Sequence, residues 1–86
     1  MRVPIEREQR PPGPYEEHHV FGGPCRKWSE EYNCVIYLPP EVHRGINGIH
    51  RNKAFRLRVQ QEFQRRLEMA GWTRKEFIDT FLKSRL

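Results

Sequence analysis

Residues Cys34-Val35-Ile36-Tyr37-Leu38-Pro39-Pro40-Glu41-Val42-His43 decide the architecture of this chain. The first five are β-branched, aromatic or otherwise apolar and give the strongest strand signal in the sequence. Pro39 and Pro40 end that strand, and Pro40 suits the first turn of a helix carrying Glu41, Val42 and His43. Gly45 and Gly48 then stop the helix within about a turn. Upstream, Tyr15 to Phe21 can form a partner strand that ends at Gly22-Gly23, with one helical turn from Arg26 to Tyr32 between the strands. Two strands paired as a hairpin with a short helix across them make a ββα unit.

Beyond this unit the hydrophobic period becomes helical. Asn52 can cap a helix running to about Ala70, with Phe55, Val59, Phe63 and Leu67 recurring every fourth residue as one buried stripe and Ala70 near its end. Thr73-Arg74-Lys75-Glu76 is a capping box for a last helix, whose expected apolar face is Phe77, Ile78, Phe81 and Leu82. Residues 1–14 hold Pro4, Pro11, Pro12, Gly13 and Pro14 and read as an extended or mobile arm before one domain at 15–86. The predicted fold class is α+β: a ββα unit with two additional C-terminal helices.

A mean hydropathy of -0.92 over 86 residues leaves little apolar surface for a core, so a staple such as a metal, a disulfide or a partner is in order. Cys25 and Cys34 are too few for a disulfide framework and form no CxxC pair, which excludes a four-cysteine zinc site; one disulfide is possible, but free thiols are the expectation. The opening Met-Arg-Val-Pro-Ile-Glu-Arg has no secretory apolar region, and no run can span a membrane, so the expected location is the cytoplasm. The net charge of +5 is concentrated between Arg44 and Arg66, where seven bases face the single acid Glu62. Arginines outnumber lysines twelve to four, which suits a polyanion partner. A solvated helix face accounts for the charge equally well.

The most specific chemistry lies in four histidines: the adjacent pair His18-His19, then His43 and His50. Three imidazoles can hold a divalent cation that leaves positions open for water and a phosphate oxygen, while a fourth takes a proton from water. A lone histidine is more often a surface or satisfied core residue. A structural zinc site using all four is a further alternative, but neighbours on a strand point to opposite faces, which favours separate roles for His18 and His19. Glu16 or Glu17 can support an imidazole, although a solvated strand edge is the plainer expectation. Trp28, Tyr32, Tyr37 and Trp72 read mainly as packing residues.

Taken in order, the segments His18 to Gly23, Arg26 to Tyr32, Tyr37 to His43, Gly48 to Lys53 and Gly71 to Phe77 resemble the HNH, or ββα-metal (His-Me finger), endonucleases, most closely small phage-type HNH proteins. The resemblance covers roughly residues 15–86. It implies His18, His43 and His50 as ligands of one divalent metal ion (Mg, Mn, Zn or Ni), His19 as general base and Asn33 as the residue that braces the loop and orients that base. It also implies DNA as substrate, with RNA not excluded, and phage or prophage origin in a bacterial host cell. Arg44, Arg51, Lys53, Arg58, Arg65 and Arg66 are the expected backbone contacts. Two departures stand out. The family turn often reads Leu-Cys-Pro-Glu-His-His, and here Leu38-Pro39-Pro40-Glu41-Val42-His43 lacks both the cysteine and the first histidine of that turn. The expected function is low-specificity, metal-dependent hydrolysis of DNA phosphodiesters. The alternative is a non-catalytic protein on the same fold that binds nucleic acid or a partner protein.

Overall fold

The computed structural model describes residues 1–86. The chain folds as α+β, with a two-stranded antiparallel sheet and four α-helices. Strand β1 (Glu16–His19) leads through a 3-10 turn at Gly23–Cys25 into helix α1 (Arg26–Glu31). Strand β2 (Val35–Leu38), helix α2 (Pro40–Arg44), helix α3 (Lys53–Met69) and helix α4 (Arg74–Phe81) follow. Both strands are shorter than their apolar runs. Val20 leaves the ladder but still donates its N–H to the Cys34 carbonyl, and Asn33 turns the chain into β2 with φ +65, a left-handed conformation that asparagine tolerates.

The strand register pairs Glu16 with Leu38, Glu17 with Tyr37, His18 with Ile36 and His19 with Val35. Side chains alternate across a strand, so Glu16 and His18 share one face and Glu17 and His19 the other. The Pro39-Pro40 junction turns the chain from β2 straight into α2, which packs back on β1.

The core joins the end of the hairpin to the C-terminal helices. Val20, Phe21, Cys34 and Ile49 are buried with Phe63 and Leu67 of α3 and Phe77 and Phe81 of α4. The Phe21 ring lies 4.4 Å from that of Phe81 and 5.5 Å from that of Phe77. Asn52 caps α3 by accepting from Phe55 N–H, and Thr73 and Glu76 complete the reciprocal capping box of α4. Phe55 and Val59 are half-buried against the core, whereas Ala70 is exposed. Ile78 and Leu82 face solvent, contrary to the expected apolar face, because α4 ends at Phe81 and its inner face closes with Phe77, Thr80 and Phe81. Cys25 and Cys34 are buried free thiols, and burial pushes the Cys34 thiol up to about 12. No helix is long and apolar enough to cross a membrane.

Residues 1–14 have no regular secondary structure, but they lie against the body. Ile5 N–H donates to the Tyr32 carbonyl, Asn33 Nδ2 donates to the Ile5 carbonyl at 2.9 Å, and Trp72 Nε1 donates to the Val3 carbonyl at 2.8 Å.

One buried side chain fixes where β1 ends. Ser29 Oγ accepts from Phe21 N–H at 2.9 Å and donates to the Phe21 carbonyl at 2.8 Å, tying α1 to the residue that enters the core. Ser29→Ala leaves both backbone groups buried and unpaired. It is expected to lower stability by about 2 kcal/mol, read from the urea midpoint. An unshifted midpoint would mean that this bond does not hold the junction.

Candidate metal centre

His18, His43 and His50 arrive from β1, from α2 and from the loop after α2, and their ligating nitrogens all lie within 4.8 Å of one another. The three ring centroids are 4.6 to 5.2 Å apart. The loop after α2 reverses tightly enough to return His50 to His43. A Cβ at Gly45 would collide with the Glu41 carbonyl, and one at Gly48 would stand 2.9 Å from the Val42 carbonyl oxygen, so only glycine allows these approaches. Between them and His50, Ile49 is fully buried and donates its N–H to the Val42 carbonyl at 2.7 Å. On the outer side, the Arg56 guanidinium donates to the Ile49 and His50 carbonyls at 3.2 and 3.3 Å.

The three imidazoles differ in how they are held. His43 Nδ1 contacts Glu16 Oε1 at 2.8 Å, which assigns the proton to Nδ1 and leaves the Nε2 lone pair facing the cluster. Arg44 binds both oxygens of the same carboxylate, at 2.9 and 2.6 Å. The hydrogen bonds from His43 and then Arg44 hold the Glu16 carboxyl below its usual range. His50 Nε2 lies 2.8 Å from His43 Nε2. His18 is 5 % exposed, and its Nε2 is the one buried side-chain polar atom without a hydrogen-bond partner. Burial first, then the neighbouring imidazoles, brings its pKa down to about 4, so the ring stays neutral at physiological pH. Burial, then His43, also lowers that of His50. Three close nitrogens, one of them orphaned in the interior and another held by a carboxylate, fit the coordination of a divalent cation.

His19 is on the other side of β1. Its Nε2 contacts Glu30 Oε2 at 2.8 Å, with Glu17 Oε1 at 3.7 Å, and Arg7 bridges both carboxylates. Hydrogen bonds from His19 and Arg7 hold the Glu30 carboxyl below its usual range. His18, His19, His43 and His50 nonetheless line one cleft with Glu17, Arg26 and the backbone of Gly22-Gly23, a space of about 280 Å³ without an apolar side chain. Arg26 forms no ion pair with any carboxylate of the chain.

The sequence therefore singles out the imidazoles and ranks their acidic supports too low. Glu16, expected at a solvated edge, holds a ligand candidate and Arg44 together. Glu30 and Arg26 belong to the segment that carries the resemblance but are assigned no role there, since the charges of a short helix have no pattern to reveal their targets. Asn33 bonds the Ile5 carbonyl and makes no hydrogen bond to His19. Among the expected backbone contacts, Arg66 is occupied by Glu8 and Glu62 and stacks on Phe63, and Arg58 lines a groove with those same acids. Arg51, Lys53 and Arg65 are exposed. Comparison of the chain with known protein families, curated proteins and solved structures finds no match.

Two outcomes test the centre. Chelation should lower the melting temperature of metal-loaded protein, since free metal at a hundred times its Kd contributes about 2.7 kcal/mol. The shift should vanish in His43→Ala, and Glu16→Ala should weaken metal affinity by roughly 10- to 100-fold in calorimetric titration. Without metal, the buried neutral His18 makes stability depend on pH. The unfolded chain takes up a proton near the ordinary 6.5 that the folded chain refuses until about 4. In EDTA, stability present above pH 6.5 is thus expected to be lost as pH falls toward 4, by on the order of 3 kcal/mol. His18→Gln should flatten that slope.

Proposed function

We propose that this chain is a metal-dependent endonuclease of the HNH, or ββα-metal, type that hydrolyses DNA phosphodiester bonds with low sequence specificity. The observation that carries the reading is the convergence of His18, His43 and His50 around a buried nitrogen with no partner, beside an imidazole of different bonding, His19. A divalent cation held by the first three would supply Lewis-acid stabilisation for charge gathering on the phosphate.

The remaining chemistry belongs to the protein. With His19 Nε2–H donating to Glu30, the lone pair of the neutral ring is on Nδ1, the atom that accepts a proton from water. Water oxygen bonds to phosphorus as its proton passes to His19, the P–O bond to the leaving sugar oxygen breaks, and that oxygen takes a proton from a solvent water. Glu30 and Glu17 steady the imidazolium formed on His19, while Arg7 keeps the two carboxylates from repelling one another. Arg26, a cation in the cleft without an acidic partner, is suited to a non-bridging phosphate oxygen. The cleft has no apolar wall that would select a base, in keeping with cutting guided by the phosphate backbone.

Plasmid nicking that requires a divalent ion and stops in EDTA is the expected result. His19→Ala should keep calorimetric metal binding yet lose nicking by roughly 10²- to 10⁴-fold. Loss of metal binding in this variant would make His19 a ligand and overturn the division of roles.

A further inference from the structure

A second concave surface is open beside the metal centre and plays no part in the chemistry above. It is a groove of about 460 Å³ between α3 and the chain after α4, lined by Lys53, Arg56, Gln60, Lys83 and Arg85, with Leu57 as its only apolar member and no carboxylate. None of its four cations pairs with an acid, although six other Lys and Arg side chains of the molecule do. Of the cations on α3, Arg66 is neutralised by Glu8 and Glu62, while Lys53 and Arg56 in the groove have no acidic partner.

Two inner residues join this groove to the candidate centre. Arg56 donates to the His50 carbonyl, and Gln60 Nε2 donates to the carbonyl of Val20, the residue after His19. The far wall is built rather than frayed. Arg85 N–H donates to Gln64 Oε1 at 2.7 Å, its carbonyl accepts from Gln61 Nε2 at 2.8 Å, and its guanidinium covers the faces of Phe21 and Phe77. Cations on both walls, hydrogen-bond donors between them and a position next to the residues that carry the histidines suit an extended polyanion.

We propose that this groove binds the phosphodiester backbone of the nucleic-acid strand flanking the scissile phosphate, with Lys53 and Lys83 as its two mobile cations. The proposal builds on the nuclease reading, but its test does not require cleavage. Neither ammonium makes a hydrogen bond or ion pair within the protein, and both side chains are exposed, so replacing them leaves the fold its contacts.

Binding of a fluorescent DNA duplex to the full chain is measured in EDTA by anisotropy over a range of salt. Lys53→Glu/Lys83→Glu is expected to weaken binding by about tenfold or more at low salt and to reduce the slope of log K against log salt by about two. Arg2→Ala/Arg74→Ala, at two acid-paired arginines outside the groove, should stay within about twofold of wild type. Unchanged affinity and slope in the lysine variant overturns the proposal, as does a loss confined to the arginine variant. Binding to phosphatidylserine vesicles with none to duplex, or full displacement of duplex by inorganic phosphate at concentrations too low to act as salt, overturns it too. Lysine-dependent duplex binding without metal-dependent nicking in wild type would sustain the groove and remove the nuclease reading. Nicking with duplex binding indifferent to the lysines would do the reverse.

Discussion

Two consecutive residues on an extended strand cannot face the same way, and the candidate centre follows from that constraint. The pairing of β1 with β2 turns His18 inward beside Ile36 and sends His19 to the opposite face. Two identical side chains thereby enter different surroundings: one is buried beside two imidazoles, the other bonds a carboxylate. A slip of one residue in the ladder would exchange them. The register is held by Ser29, which clasps both backbone groups of Phe21, and by the burial of Val20 and Phe21.

Carboxylates then divide the electrostatics into two separate systems. Glu16 serves His43 and Arg44 on one face, while Glu30 and Glu17 serve His19 and Arg7 on the other. Each histidine contact is thus part of a larger network, in which the histidine first and a guanidinium second hold the Glu16 and Glu30 carboxyls below their usual range. The arm before β1 contributes directly, because Arg7 belongs to it.

Much of this order was legible in the sequence, and the limits have physical causes. The strand–proline–helix junction at Leu38-Pro39-Pro40, the asparagine cap of α3 and the capping box of α4 are local signals, and the chain obeys them. The resemblance to the ββα-metal nucleases singles out His18, His43 and His50, and their nitrogens do lie together. What escaped depends on distant partners. Gln64 is buried in α3 because Arg85, Ser84 and Glu68 engage its amide, and no period of apolar residues announces a polar core position. Ile78 and Leu82 suggest an apolar face, but Phe77, Thr80 and Phe81 occupy the side of α4 that meets the core, and Leu82 lies beyond its end. The docked arm rests on scattered contacts, among them those of Met1, Val3, Ile5, Arg7 and Glu8, that composition reads only as proline-rich.

The reversal at Gly45 and Gly48 has a topological consequence. His43 follows His18 by 25 positions and His50 follows His43 by only 7, so the three nitrogens close one long loop and one short loop in the same chain. The glycines and the buried Ile49 have already shaped the short loop in the folded protein, whereas the long one spans the whole hairpin. An ion joining all three would act as a reversible cross-link across the hairpin, reducing the conformational freedom of any chain that kept it while unfolding. Such a link would do for this cysteine-poor domain what a disulfide does for a secreted one, and it would be undone by a chelator rather than by a reductant.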